Sequence, residues 1–258
     1  MSVLDRFGLA GKVAVVTGGA GLYGRQISEA LAEAGAETVV ASRSLENVER
    51  VASSLQGRGL KATAVTYDQS SEESIAGLRG EVQERFGRVD VLVNNAVLRP
   101  MADWGSPAAD FERSLAVNAT GLFLMVRTFG RAMAEAGGGS IVNIGSIQGR
   151  VGPDLALYEG LGWGVPPDYF FHKGGLLQLT RYAASLLGPR GVRVNAISPG
   201  GFFNDQDSAF VERYNARTFL GRMANETDLK GAVVFLASEA SAYITGIDLP
   251  VDGGYTAK

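Results

Sequence analysis

The sequence predicts one α/β domain, a three-layer αβα sandwich built on a seven-stranded parallel sheet. Two observations carry that expectation. Short apolar, β-branched runs alternate with amphipathic stretches along all 258 residues. Alternation this regular implies βαβ units whose sheet is covered on both faces. Glycine is the informative excess, at 35 residues, about twice average usage and neither periodic nor low-complexity. Such a chain needs many tight turns or close backbone approaches.

The elements follow in order. Residues 13–16 read as a buried strand. Over 25–34, Ile27, Ala30, Leu31 and Ala34 fall at i, i+3, i+4 and i+7, the stripe of an amphipathic helix, and Gly35 stops it. Residues 38–41 form the next strand. Leu45, Val48, Ala52 and Leu55 mark a helix that ends near Gly57. A strand at 61–65 precedes a helix marked by Ile75, Leu78, Val82 and Phe86 and stopped by Gly87. Residues 89–94 are a strand, and one long helix is expected over 110–136, ended by the glycines at 137–139. After a strand at 141–144 comes a helix over 167–187, with Pro167 in its first turn. Residues 192–197 form a strand. Thr227 is expected to cap a helix carrying Leu229, Ala232, Val233 and Leu236. Residues 247–251 close the series. Crossovers should be right-handed. No linker, repeat or charged tail divides residues 1–258. Two stretches lack periodicity, 149–166 and 200–220, and loops this long in a compact domain are usually functional.

Composition excludes several function classes. Lys and Arg number 24 against 27 Asp and Glu, a net charge of -3, which leaves no basic footprint for a nucleic-acid partner. The absence of Cys excludes disulfides, thiolate zinc sites and Cys nucleophiles, and it suits a reducing cytoplasm. A single His, His172, excludes metal motifs that need two, so no metal is expected. No apolar run approaches the roughly 20 residues of a membrane span. The N-terminus carries Asp5 and Arg6 without an apolar signal core. A cytoplasmic protein with a small-molecule substrate is the expectation.

Between the first strand and the first helix stands Thr17-Gly18-Gly19-Ala20-Gly21-Leu22-Tyr23-Gly24. In that context glycines let the backbone approach a pyrophosphate at a helix N-terminus. Strand, loop and helix all fall in place, which favours a Rossmann-like dinucleotide site over a merely Gly-rich turn. The second strand bears on which dinucleotide. A ribose-binding acid is expected about 20 residues on, but the strand ends Val40-Ala41-Ser42-Arg43 and the first acid after it is Glu46. With no carboxylate for the 2′-hydroxyl and Arg43 in reach of a 2′-phosphate, NADP is favoured over NAD. The plainer reading of Arg43 is a solvated surface charge.

Tyr169 and Lys173 sit at i and i+4 on the helix expected over 167–187 and share one face. A free phenol has a pKa near 10, and a neighbouring ammonium stabilises its phenolate. The pair alone is a weak signal. It stands in an ordered set, however: the 17–24 loop, Asn94-Asn95-Ala96, Asn118, Ser146, Tyr169 with Lys173, and Asn195 followed by Pro199-Gly200. All but Asn118, expected mid-helix, lie at or just beyond the C-terminal ends of strands, where an open α/β sheet binds ligands.

On these residues the whole chain resembles the short-chain dehydrogenase/reductase family. Within it, the chain is similar to the cytoplasmic branch that includes gluconate 5-dehydrogenases and ketoacyl reductases. The resemblance implies Tyr169 as general acid/base, with Lys173 lowering its pKa and binding the nicotinamide ribose. It implies Ser146 as hydrogen-bond partner of the reacting oxygen and Asn118 as holder of a relay water. Asp68, with Gln69 beside it, would contact the adenine. Asn95 and Ala96 would pack the adenine-side ribose, and Pro199, Gly200 and Phe202 would cover the nicotinamide. Gly18, Gly21, Leu22, Tyr23, Gly24, Ser42 and Arg43 complete the expected cofactor contacts. Leu22 replaces the family's middle Gly, so Gly21 is expected to take the strained backbone conformation. Val97 replaces a Gly, and Asn204 stands where a Thr often contacts the nicotinamide amide.

Ser146 and Tyr169 are 23 residues apart, a wider gap than the family habit. The extra residues, 154–168, join two expected catalytic groups and must emerge near the active-site mouth. They carry Tyr158, Glu159 and Trp163. Aromatic faces with a carboxylate suit a polyhydroxylated ligand, and Gln148, Trp104 and Phe203 could add further contacts. The same aromatics could instead fill the insertion's own core or a subunit contact. For His172 a packed or interface role is favoured over a catalytic one. Three functions remain open. The first is an NADP-preferring oxidoreductase of a sugar, sugar acid or polyol. The second is the same chemistry on a ketoacyl thioester or other apolar carbonyl, with Phe202, Phe203, Phe210 and Phe219 as its pocket. The third is a non-catalytic cofactor-binding sensor. The resemblance also implies a homotetramer or homodimer, with the 110–136 and 169–187 helices at one interface.

Overall fold

The computed structural model describes residues 2–257. Its strands are β1 (Val13–Thr17), β2 (Glu37–Ser42), β3 (Ala62–Thr66), β4 (Val91–Asn94), β5 (Gly139–Ile144), β6 (Val192–Pro199) and β7 (Asp248–Val251). They form one sheet in the order β3-β2-β1-β4-β5-β6-β7, and every neighbouring pair is parallel. This is the expected seven-stranded, Rossmann-like sandwich. The strand order reverses between β1 and β4. A crevice therefore opens outside their C-terminal ends.

The central strands are apolar throughout because both faces are covered. All five residues of β1 are buried. Val13 and Val15 pack against the layer of α3 (Glu72–Phe86), α5 (Leu122–Glu135) and α6 (Pro167–Leu187). Ala14 and Val16 face the opposite layer, α1 (Leu22–Glu33) and α8 (Lys230–Ala237). α2 (Leu45–Gln56) covers the β3 edge through Ala52 and Leu55. Local signals set these helices. The Ser44 and Ser71 hydroxyls accept from the backbone of Asn47 and Ser74 at the starts of α2 and α3. Gly87, at φ 72°, stops α3. Polar groups tie sheet to helix where the site forms. Asn94 Nδ2 donates to Asn143 Oδ1 at 2.8 Å, and Asn143 Nδ2 donates to Thr180 Oγ1 of α6 at 2.9 Å.

Three expectations need correction. The 110–136 helix is broken: α4 (Ala108–Leu115) and α5 are joined by a π-helical turn, Ala116–Gly121. An extra residue is wound in there, and Gly121 presses its bare Cα against the Gln69 carbonyl, so no side chain fits. The 200–220 stretch is not all loop, for it contains α7 (Ser208–Asn215), capped by Asp207. Thr227 does not cap α8. The hydroxyl of Thr227 donates to Asn225 Oδ1 at 2.8 Å, and the helix starts at Lys230 with Leu229 as its cap residue. Among the described residues no helix is long and apolar enough to cross a membrane, and no group of three acidic or His side chains could hold a metal ion.

Candidate active site

A cleft of about 640 Å³ opens at the C-terminal ends of β1, β4, β5 and β6. Its floor is the glycine loop. Gly18 has φ +59°, and a Cβ there would stand 2.8 Å from the Ala96 Cα. A Cβ on Gly24 would collide with the Gly18 carbonyl. The strained conformation thus falls on Gly18 and not on Gly21, whose φ is -74°. Leu22 keeps its side chain exposed at the start of α1 and lines the cleft, so the bare backbone of a helix N-terminus borders it. Thr17 Oγ1 accepts from the backbone N–H of Asn95 and Ala96 at 3.0 and 3.2 Å, and Asn95 Nδ2 donates to the Gly18 carbonyl. These bonds lace the ends of β1 and β4 together. Tyr23 donates its hydroxyl to the Gly200 carbonyl at 2.7 Å and meets the Phe202 ring edge-on. The loop from Pro199 to Phe202 is thereby held across the cleft. This cradle, whose close backbone approaches leave no room for a Cβ at position 18 or 24, fits a dinucleotide pyrophosphate.

A smaller hollow of about 240 Å³ continues past Gly18 and Ala96, lined by Ser42, Arg43, Ser44, Asp68 and Gln69. The Arg43 guanidinium makes no ion pair among the described residues. The hydroxyl and backbone of Ser70 donate to Asp68 and, with the field of Arg43, hold its carboxyl below the usual range. The Gln69 amide is committed to the Tyr67 hydroxyl and the Val117 carbonyl.

At the other end of the cleft α6 presents Tyr169 and Lys173, both buried. Lys173 Nζ donates to the Ile144 carbonyl at 2.6 Å and lies 5.6 Å from the Tyr169 ring centre. Ser146 follows β5 as the cap of a short 3-10 turn, its Oγ accepting from the Gln148 N–H at 3.1 Å. Burial opposes ionising Tyr169. The positive charges of Lys173 and Arg99 and the hydrogen-bonding reach of Ser146 outweigh burial and bring its pKa below that of a free phenol. A buried phenol so disposed can give and take a proton. His172 packs edge-on against Tyr169. Burial and the neighbouring cations push its pKa down to about 3, so it is a neutral packing residue near pH 7. The Asn118 side chain accepts from the Leu98 N–H and donates to the Leu98 carbonyl and to Ser114 Oγ. It fastens the loop after β4 to the π turn, with both amide hydrogens used and one lone pair of Oδ1 left over.

Several expected substrate contacts are not brought together. Gln148 and Tyr158 line the cleft. Trp104 does not, being 87 % exposed beside a shallow hollow on α4. Glu159 is exposed, and only its carbonyl is used, accepting from Arg213 at 2.6 Å. Trp163 packs on Phe210 of α7, and Phe203 points to solvent. The insertion thus builds a small core of its own with α7, joining Leu157 and Tyr158 to Phe210, Tyr214 and Met223. These last three also line the cleft; Phe210 is among the expected apolar pocket residues, whereas Tyr214 and Met223 escaped the sequence reading, as did Arg99. The Arg99 guanidinium lies 4.3 Å above the Tyr169 ring centre. The one available signal was that Arg99 is the sole basic residue between Asn95 and Trp104. A second cavity, of about 680 Å³, lies at the opposite end of the sheet around Lys12, Arg88 and Asp90. There the one buried acid is already paired.

Comparison with known proteins matches this architecture. A family model described as enoyl-(acyl carrier protein) reductase matches residues 21–256. The D-threitol dehydrogenase of Mycolicibacterium smegmatis is 35% identical over 264 residues, covering 100% of this chain and 98% of the relative. The 3-oxoacyl-[acyl-carrier-protein] reductase of Aquifex aeolicus is 35% identical over 252 residues, covering 95% and 98%. The crystal structure of a gluconate 5-dehydrogenase from Burkholderia cenocepacia, in complex with NADP and tartrate, superposes with a TM-score of 0.91 at 30% identity and full coverage of both chains. By sequence and by fold, the chain belongs to the short-chain dehydrogenase/reductase family, NAD(P)-dependent oxidoreductases that move a hydride between the cofactor and a CH–OH carbon.

Proposed function

We propose that the protein is an NADP-preferring dehydrogenase of a polyhydroxylated secondary alcohol, a sugar, sugar acid or polyol, with Tyr169 as its general acid/base. One observation carries this reading: Tyr169 is buried at the end of the dinucleotide cradle with Lys173 and Ser146 around it. The nicotinamide, when bound, supplies the hydride acceptor or donor. Tyr169 takes the carbinol proton in oxidation and returns it in reduction. Lys173 keeps the phenolate accessible near neutral pH. Ser146 hydrogen-bonds the reacting oxygen and stabilises the charge that develops on it. Arg43, with Ser42 and Ser44, holds the 2′-phosphate, which supports NADP over NAD. The names of the threitol and gluconate dehydrogenases support a polyhydroxylated substrate.

The insertion at 154–168 is the specificity element in this reading, through Tyr158 and the Phe210 that it supports. A ketoacyl or other apolar carbonyl substrate is the second reading, and the apolar wall of Phe210, Tyr214 and Met223 favours it. Activity with NADP and NAD on a panel of aldonates, alditols and ketoacyl thioesters tests both, beside Tyr169→Phe. A Tyr169-dependent signal on polyols or sugar acids is expected. A signal confined to thioesters would select the second reading, and turnover kept by Tyr169→Phe would remove Tyr169 from its role.

Phe171, Tyr182 and Leu186 on α6 and Phe123 on α5 expose apolar surface on neighbouring helices. We propose that this face is a two-fold interface of a homotetramer or homodimer. Light scattering at several concentrations tests this, and a concentration-independent monomer mass would oppose it. The cytoplasm is the proposed location, since a chain without Cys suits a reducing compartment. Cell fractionation tests that.

A further inference from the structure

Arg99 is the second charged group of the cleft; its field helps to lower the Tyr169 pKa, but it is not itself an acid or base in the reaction. It leaves the end of β4 on the loop that Asn118 fastens, and its guanidinium lies over the Tyr169 ring. Its field acts on Tyr158 as well as on Tyr169, His172 and Lys173, so it stands among the groups at the substrate end. Only two charged side chains line the cleft, Arg99 and Lys173, and no carboxylate does. Lys173 is committed to the Ile144 carbonyl. Arg99 makes no ion pair among the described residues.

We propose that Arg99 is the anion anchor of the substrate site, so that the substrate is a polyhydroxylated carboxylate and not a neutral polyol. The inference rests on the dehydrogenase reading and narrows its substrate class. Two cations within one cleft, with no acid to balance them, favour an anionic occupant by simple charge complementarity. A guanidinium binds a carboxylate through two parallel N–H···O bonds, a geometry that an ammonium cannot supply. Stacking on Tyr169 orients the fork. The carboxylate would then sit beside the carbinol carbon that faces Tyr169 and Ser146, and its position would select which hydroxyl is presented. Gln148 and Tyr158 line the same end of the cleft and would hold the remaining hydroxyls.

The test is calorimetric and needs no turnover. The full-length protein is saturated with NADPH, so that the phosphate sites are filled, and titrated with tartrate and with threitol. These are four-carbon diols that differ in carboxylate against hydroxymethyl ends. The unmodified protein is expected to bind tartrate at least about tenfold more tightly than threitol, the scale of a charge-assisted hydrogen-bonded pair. Arg99→Met should lose about tenfold or more in tartrate affinity while threitol and NADPH binding stay within about twofold. Arg99→Lys, which keeps the charge and loses the fork, should fall between. Equal binding of the two diols, no tartrate binding at all, or tartrate affinity retained by Arg99→Met would each overturn the proposal. Failure of the dehydrogenase reading looks different: turnover would be absent, or indifferent to Tyr169→Phe, whatever the tartrate titration shows.

Discussion

The ammonium of Lys173 stands 5.6 Å from the centre of the Tyr169 ring, one helical turn away, and is anchored to the end of β5 by the Ile144 carbonyl. Two elements therefore fix one charge. The helix sets its distance from the phenol, and the strand end stops the long side chain from swinging into the cleft. Burial costs both groups, lowering the Lys173 pKa and opposing the phenolate of Tyr169. The two charges that result are mutually stabilising.

That coupling predicts a pH shift. Oxidation needs the phenolate, so its rate falls on the acid side of the Tyr169 pKa. The cation of Lys173 lowers that pKa, and Lys173→Met removes the cation. The acid limb of the oxidation profile should move to higher pH, and turnover near pH 7 should drop by about 100-fold or more. Initial rates from pH 6 to 10 check this. An unmoved limb with a uniformly lower rate would mean that Lys173 acts only on cofactor binding.

Arg43 sets up a second prediction, on cofactor choice. Its guanidinium borders the hollow next to Ser42 and Ser44, and the one acid lining that hollow, Asp68, comes from beyond β3 and not from the end of β2. Arg43→Ala should weaken NADPH by about tenfold or more, the value of charge-assisted bonds to one phosphate. NADH should change by no more than about twofold. Fluorescence titration of each reduced cofactor decides it, and an equal loss for both would return Arg43 to the solvated surface.

Much of this site is legible in the chain before folding, and the reasons differ residue by residue. The strands read clearly because βαβ packing buries both faces, leaving runs such as 13–16 with no polar position. Helical spacing puts Tyr169 and Lys173 on one face, but that pair is a weak signal alone and reads as a site only within the ordered set that runs from the 17–24 loop to Gly200. Arg99 is not legible, since it lies on an aperiodic loop that is held through its neighbour Leu98 by Asn118, twenty positions from Leu98 in the chain. Trp104, five residues on, illustrates the converse: an aromatic near a site in sequence turns out to solvent. The π turn also leaves little trace. One additional residue in a helix does not disturb its composition, and only Gly121, forced by the Gln69 backbone, records the crowding.

Gly149 gives a packing prediction with an internal control. It ends the turn that Ser146 caps, and a Cβ there would stand 2.6 Å from the Lys173 carbonyl oxygen. The contact is backbone on backbone, so no side chain can yield. Gly149→Ala must push the Ser146 turn away from α6, at the site where Ser146 and Tyr169 have to meet. Overpacking of this kind costs about 1–3 kcal/mol, and a displaced proton-transfer pair should lower turnover by more than about tenfold. Gly152 lies three residues later with open space around its Cα. Gly152→Ala should leave both melting temperature and turnover near their starting values. Equal behaviour of the two variants would show that the turn moves freely.

Asp90 carries a stability prediction at the opposite end of the sheet. Its carboxylate, largely buried, accepts from the Val13 N–H at 2.9 Å and from both Nε and Nη2 of Arg88 at 2.8 and 2.6 Å. Lys12 adds a longer contact at 3.4 Å. Burial alone would raise its pKa, but the Arg88 and Val13 bonds and the charge of Lys12 bring it below the ordinary value. A carboxyl with a depressed folded pKa stabilises the protein above its unfolded pKa, about 3.9. That contribution disappears as pH falls through the folded value. Arg88 and Lys12 are partly exposed, so solvent screening limits the ion pairs, and the net effect is about 1–2 kcal/mol. Asp90→Asn keeps an acceptor for Val13 and loses the charge. At pH 7 the variant should melt several degrees lower. Because only the unmodified protein loses this term in acid, the gap should narrow as the pH is taken from 5 towards 3. Melting curves at fixed protein concentration across that range measure it, and a gap that stays constant would place the contribution in the hydrogen bonds and not in the charge.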